Sequence, residues 1–157
     1  MHPTLRPLML ALEVAERDRD QAQSTVLRLR HQMEAAQSQA RQLEDYRRDY
    51  QQRWGERFQT QGTVQIMHCY HGFMSRLDQA GTHQQAAVQR MQHHLDQAVQ
   101  VLRDREMRAA SIRKLIERRQ NELNLTRSRQ DQKLTDEQAS RMAWARRAAG
   151  SNDLAIA

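Results

Sequence analysis

The sequence predicts an all-α protein: two long helices in an antiparallel coiled-coil hairpin, with the second helix overhanging the first. Three observations predict it: two apolar ladders with spacings of four and three, a glycine-bearing break between them, and a composition too lean for another kind of core. Of 157 residues only 38% are hydrophobic and 4% aromatic, with five Gly and two Pro. A chain rich in Arg, Gln, Ala, Leu and Glu with few breakers matches long helices and coiled coils.

The first element begins near Thr4, a suitable cap, because Pro3 and Pro7 fall before or within a first turn, where a missing backbone donor costs little. Its ladder reads Leu8, Leu12, Ala15, Arg19, Ala22, Val26, Leu29, Met33, Ala36, Ala40, Leu43, Arg47, Tyr50, apolar at eleven of thirteen positions. A seven-residue repeat of that length makes a narrow stripe that only a second helix winding around it can bury. The helix is expected over about residues 4–58, loosened at Gly55, and roughly 75–80 Å long at 1.5 Å per residue.

The break falls at about 59–63, in QTQGTVQ, where Gly62 tolerates positive φ and Thr63 is a good N-cap. A second helix over about 64–148 follows. Its ladder reads Ile66, Tyr70, Phe73, Leu77, Ala80, Gln84, Val88, Met91, Leu95, Ala98, Leu102, Arg105, Ala109, Ile112, Ile116, Arg119, Leu123, apolar at fourteen of seventeen positions. Two fours follow each other at Ala80, Gln84 and Val88, a stutter that locally unwinds a coiled coil beside Gly81. A short link makes the helices antiparallel neighbours. With the turn near residue 61, Leu8 falls opposite about residue 114, and the remainder is an unpaired, weakly periodic overhang. A tail without helical pattern is expected over 150–157, and the whole chain is read as one coiled-coil domain.

Composition also bounds function. The single Cys69 excludes an intramolecular disulfide, and no apolar run approaches the roughly 18 residues of a membrane span. Glu13, Glu16 and Arg17 interrupt the N-terminal apolar stretch too early for a secretory signal, so a reducing, cytoplasmic location is expected. Residues 1–50 carry eight basic and eight acidic groups, residues 101–150 thirteen and seven, so the net charge of +6 sits in the last third. An acidic partner for that third is expected, although single arginines also pair at i,i+4 on a solvated face.

His68, Cys69 and His71 are clustered, but a closed zinc site needs four converging ligands and nothing nearby supplies the rest. No glycine-rich phosphate loop, GxSxG, HExxH or paired CxxC is present. Neither an enzyme, a metal nor a cofactor is expected. A nucleic-acid-binding coiled coil is the alternative from another class, given the pI near 10.4. Against it, the basic residues are interspersed with acids after the ladder, rather than dense before a zipper, and aromatics are not interleaved for stacking. In LEDYRRDYQQRW, Leu43, Tyr46, Tyr50 and Trp54 form one stripe near the turn, roughly opposite Phe73, Leu77 and Ala80. Tyr46 stands off the ladder with a hydroxyl that prefers a wet edge, so part of this cluster is suited to a partner.

The stretch LxLxxxxAERDRDxA, the segments LEDYRRDY and YHGFMSRLDQA, and the Arg/Glu/Gln-rich second helix with DEQAS near its end together resemble the flagellar export protein family FliJ. The resemblance covers nearly the whole chain. It implies an antiparallel two-helix coiled coil like the central γ stalk of rotary ATP synthases, within the flagellar type III export apparatus. The implied partners are the hexameric export ATPase, the export gate protein FlhA and export chaperones, with no nucleic acid, and the membrane reached only through the export complex. The implied location is cytoplasmic, peripheral at the inner membrane. The gate contact of the family corresponds here to Gln39, Leu43, Tyr46, Tyr50, Phe73, Leu77 and Ala80, and its next position falls on Gln84, where His is expected. The alternative is the equivalent stalk protein of a virulence type III secretion system, which has the same implied shape and position.

Overall fold

A computed structural model describes residues 2–155. Two long helices pack against each other, α1 over Arg6–Thr60 and α2 over Val64–Ala155, and there is no strand among the described residues. The chain divides into two compact units, one of Ala15–Arg108 and one of Met1–Val14 with Ala109–Ala157.

In the unit Ala15–Arg108 the helices run antiparallel around the turn. Only Gln61, Gly62 and Thr63 lie outside the helices, so the link is shorter than 59–63. Gln61 N donates to Arg57 O at 2.8 Å and Thr60 Oγ1 donates to the same carbonyl at 3.1 Å, closing the end of α1. Thr63 is the N-cap: its Oγ1 accepts from Ile66 N at 3.4 Å and its carbonyl from Met67 N at 3.1 Å. None of the described residues has positive φ, Gly62 included, so the reversal is made by capping rather than by a left-handed glycine. Gly55 does not interrupt α1.

The seam follows the ladders. Ala15, Val26, Met33 and Ala36 are buried on α1. On α2, however, Met74 is buried while its neighbour Phe73 is only half-buried. Met74 lies four residues after Tyr70, so both of the alternative helical spacings are used in that turn. Few large side chains fill this core, and ionic contacts flank it. Arg47 Nε lies 2.7 Å from Asp78 Oδ1, an ion pair across the helices in which the N–H is not aligned for a hydrogen bond. Arg105 Nη1 lies 3.7 Å from Asp18 Oδ2. Arg19, a polar member of the first ladder, donates to Asp20 at 2.8 and 3.0 Å, and that hydrogen bond holds its guanidinium further above its ordinary pKa.

At the stutter the seam residue is Gln84. Its Nε2 donates to Ala36 O at 2.9 Å and to Gln39 Oε1 at 3.2 Å, a polar layer joining the helices. Gly81, three residues earlier, is helical and half-buried, and a Cβ added there would meet nothing within 4 Å. Relative to Ala, a helix-interior glycine costs about 1 kcal/mol. Neither backbone conformation nor crowding offsets that cost at Gly81.

In the other unit the chain starts one turn earlier than Thr4 capping predicts. Pro3–Leu5 form a 3₁₀ turn capped by His2, whose Nδ1 accepts from Thr4 N at 3.5 Å and lies 2.7 Å from Thr4 Oγ1. Proline suits this position, because its missing N–H falls where no helical acceptor exists. The extra turn places Leu5, three residues before Leu8, in the ladder, where it is 6% exposed. Leu5 and His2 share a groove with Gln120 and Leu123. The second helix therefore has partners as far as Leu123, not only to about residue 114, and every described residue beyond Leu123 is exposed. The helix also runs through Gly150 to Ala155, so the tail expected from residue 150 is helical over its described part. Ile156 and Ala157 lie outside the described residues.

Candidate functional site

The aromatic side chains gather beside the turn, within the unit Ala15–Arg108. Tyr46, Tyr50, Trp54 and Phe58 recur every four residues along α1, a spacing that stacks side chains on one helix face. Their rings stand 6.1, 5.7 and 5.7 Å apart in succession. Phe73 and Tyr70 on α2 meet this column: Phe73 is 4.2 Å from Tyr50 and 6.3 Å from Tyr46, and Tyr70 is 5.8 Å from Trp54 and 5.4 Å from Phe58. The Arg57 guanidinium stands 5.8 Å from the Trp54 ring centre, on its face. Six of the seven aromatic residues take part; Trp144, 77% exposed, is the seventh.

Of the residues expected to form the site, Tyr46, Tyr50 and Phe73 touch one another. Leu43 and Leu77, both half-buried, line one groove on the seam just above them. Gln39 is exposed and is held by Gln84. Ala80 is exposed, three residues beyond Leu77. Tyr46 is the most open of the rings in this column, at 52% exposure. Trp54, already in the stripe read from the sequence, and Phe58 and Tyr70 extend the cluster to the turn, beyond the seven residues expected to form the site. The repeat of four that continues from Tyr46 to Phe58 is the sequence signal for two of them, and Tyr70 is a ladder residue.

Aromatic rings with apolar faces and polar tips serve as anchors in interfaces. Among the described residues no three His, Cys, Asp or Glu side chains stand close enough to share a metal ion, and His68, Cys69 and His71 are exposed. Among the described helices none is long and apolar enough to cross a membrane.

The family model of the flagellar FliJ protein matches residues 4–148. The chain belongs to the FliJ family. As a member of the FliJ family it is a flagellar protein of the type III export machinery, in a family of non-enzymatic export components. No curated protein and no solved structure matches it. At Gln84, the position for which the resemblance implied His, the chain places an amide that bonds across its own seam.

Proposed function

We propose that the chain couples the hexameric export ATPase to the export gate protein FlhA as a stalk, and assists export chaperones. In this reading it works in the cytoplasm and reaches the inner membrane only through the export complex. The observation that carries the reading is the half-open cluster of Tyr46, Tyr50 and Phe73 with Leu43 and Leu77 beside it. Together with Gln39 and Ala80, these residues form the proposed docking surface for the gate. The rings are already in contact, so docking orders few new rotamers.

The ATPase-facing surface in this reading is the basic part of α2, with Arg118, Arg119, Arg127, Arg129, Arg146 and Arg147. Exposed charges of one prevailing sign steer association with an acidic ring, and the attraction weakens with salt.

The test is a pair of variants measured against the purified cytoplasmic part of the gate and against the ATPase. Combined Tyr46→Ala and Tyr50→Ala lowers gate affinity at least tenfold, leaves ATPase binding unchanged and retains helicity by circular dichroism. Retained gate affinity and motility in that double variant would exclude the docking surface.

A further inference from the structure

Between the aromatic cluster and the buried stretch around Val26 and Met33, the two ladders run out of step. Along α1 the spacings from Met33 through Ala36, Ala40 and Leu43 to Arg47 are three, four, three and four. Along α2, read in the opposite direction from Met91 through Val88, Gln84 and Ala80 to Leu77, they are three, four, four and three. Antiparallel stripes with unequal steps lose their common register at the slip. The ladder side chains there are small or polar: Ala36, Ala40, Ala80 and Gln84, with the half-buried Gly81 beside them. On the turn side, by contrast, large rings meet, Tyr50 with Phe73 and Trp54 with Tyr70.

A groove of about 590 Å³ opens between the helices at the slip. Arg41, Glu44 and Gln85 line it together with Ala40, Leu43, Leu77 and Gly81, so charged and amide groups bring water to the edge of the seam. Gly81 has an ordinary helical φ and nothing lies within 4 Å of the place its Cβ would take, so it weakens the helix without a gain in packing. The Thr82 hydroxyl donates to Asp78 O at 2.9 Å, a bond onto the preceding turn that favours bending. The links that cross here are polar, from Gln84 Nε2 to Ala36 O and Gln39 Oε1 and between Arg47 and Asp78, and water replaces them at small net cost. A stretch with little apolar burial between stretches with more is where a helix pair opens first.

We infer that residues 36–44 with 77–85 form a joint, at which the seam opens locally and the hairpin bends. The aromatic end beside the turn then tilts as one piece, while residues 15–33 and the part of α2 paired with them keep their direction. Such a joint lets the rod follow a partner held at the aromatic end, whichever protein that partner is. The inference therefore stands apart from the gate reading.

The test is hydrogen exchange of the full chain, read peptide by peptide, in the parent and in combined Gly81→Ala and Gln84→Leu. In the parent, amides of residues 37–44 and 78–86 exchange at least tenfold faster than those of 26–33 and 90–98 on one side and of 47–54 and 70–75 on the other. The double variant brings them to the flanking rate. Parental exchange that matches the flanks or only rises smoothly towards the turn, or a double variant that exchanges like the parent, would overturn the joint. Bending is read separately, with Cys69 replaced by Ser and spin labels at the exposed positions 68 and 94 of α2, about 39 Å apart along a straight helix. The distance distribution is about twice as wide in the parent as in the double variant; equal widths would overturn the bend.

Discussion

Tyr46 keeps about half of its surface in water although its ring meets Tyr50 and Phe73. Its truncation alone should therefore cost the fold little, whereas truncating a good aromatic anchor costs an interface about 2 kcal/mol or more. Tyr46→Ala should leave the melting curve nearly unchanged and reduce gate binding by an order of magnitude in titration. Val26 is the opposite case, 3% exposed and in the seam. Val26→Ala should cost about 2 kcal/mol through lost packing and a residual cavity, read as a lower denaturation midpoint. Gly62 makes the turn with negative φ, and a Cβ there would lie 3.4 Å from Phe58 O, an ordinary contact. Gly62→Ala should accordingly fold and melt like the parent, which a left-handed glycine would not allow.

At the scale of the element, α2 changes character twice. Near Gln84 its seam turns polar, and a polar residue at a coiled-coil core position specifies register at a cost in stability. Ala36 O, which accepts from Gln84, also lies within the backbone ladder of α1, so losing the amide does not orphan it. Gln84→Leu should therefore stabilise the protein by about 1 kcal/mol, raising the melting temperature by roughly 2–4 °C. Past Leu123 the helix changes again, with every described side chain exposed, Leu125, Leu134, Met142 and Trp144 among them. Removing everything after Asn124 leaves Leu5, Gln120 and Leu123 together and should keep thermal stability, while abolishing ATPase binding and sparing the gate. Full ATPase binding by the truncated chain would assign that contact elsewhere.

For the whole molecule the question is whether each chain pairs with itself. Two complementary ladders joined by three residues have a high effective concentration for each other, which favours the intramolecular pair. With Cys69 replaced by Ser, spin labels at the exposed positions 30 and 94 should report the close range of packed helices, whose axes stand about 8–10 Å apart. Dilution with unlabelled protein should not alter the signal; a loss on dilution would mean an intermolecular pair. Charge is also divided: residues 1–14 with 109–157 carry eleven basic and seven acidic groups, and residues 15–108 fourteen and twelve. ATPase association should thus fall steeply with salt, and gate association only slightly.

The two helices and their turn were legible in the sequence because a seam repeats. Each ladder residue faces a partner only if its neighbours at four and three do, so the pattern states the fold redundantly, and Thr63 marks the turn through local hydrogen bonding alone. The aromatic column was legible as far as Trp54 for the related reason that Tyr46, Tyr50 and Trp54 are neighbours on one helix whatever surrounds them, and the same repeat runs on to Phe58. Contacts between the helices were not. The burial of Met74 beside the half-open Phe73, the reach of Leu5 to Leu123 and the bond from Gln84 to Ala36 O depend on how two surfaces meet, and spacing along one chain allows more than one answer. The open space at Gly81 belongs to the same class: the sequence by itself determined that a side chain is missing, and only the tertiary structure decided that nothing else fills the space.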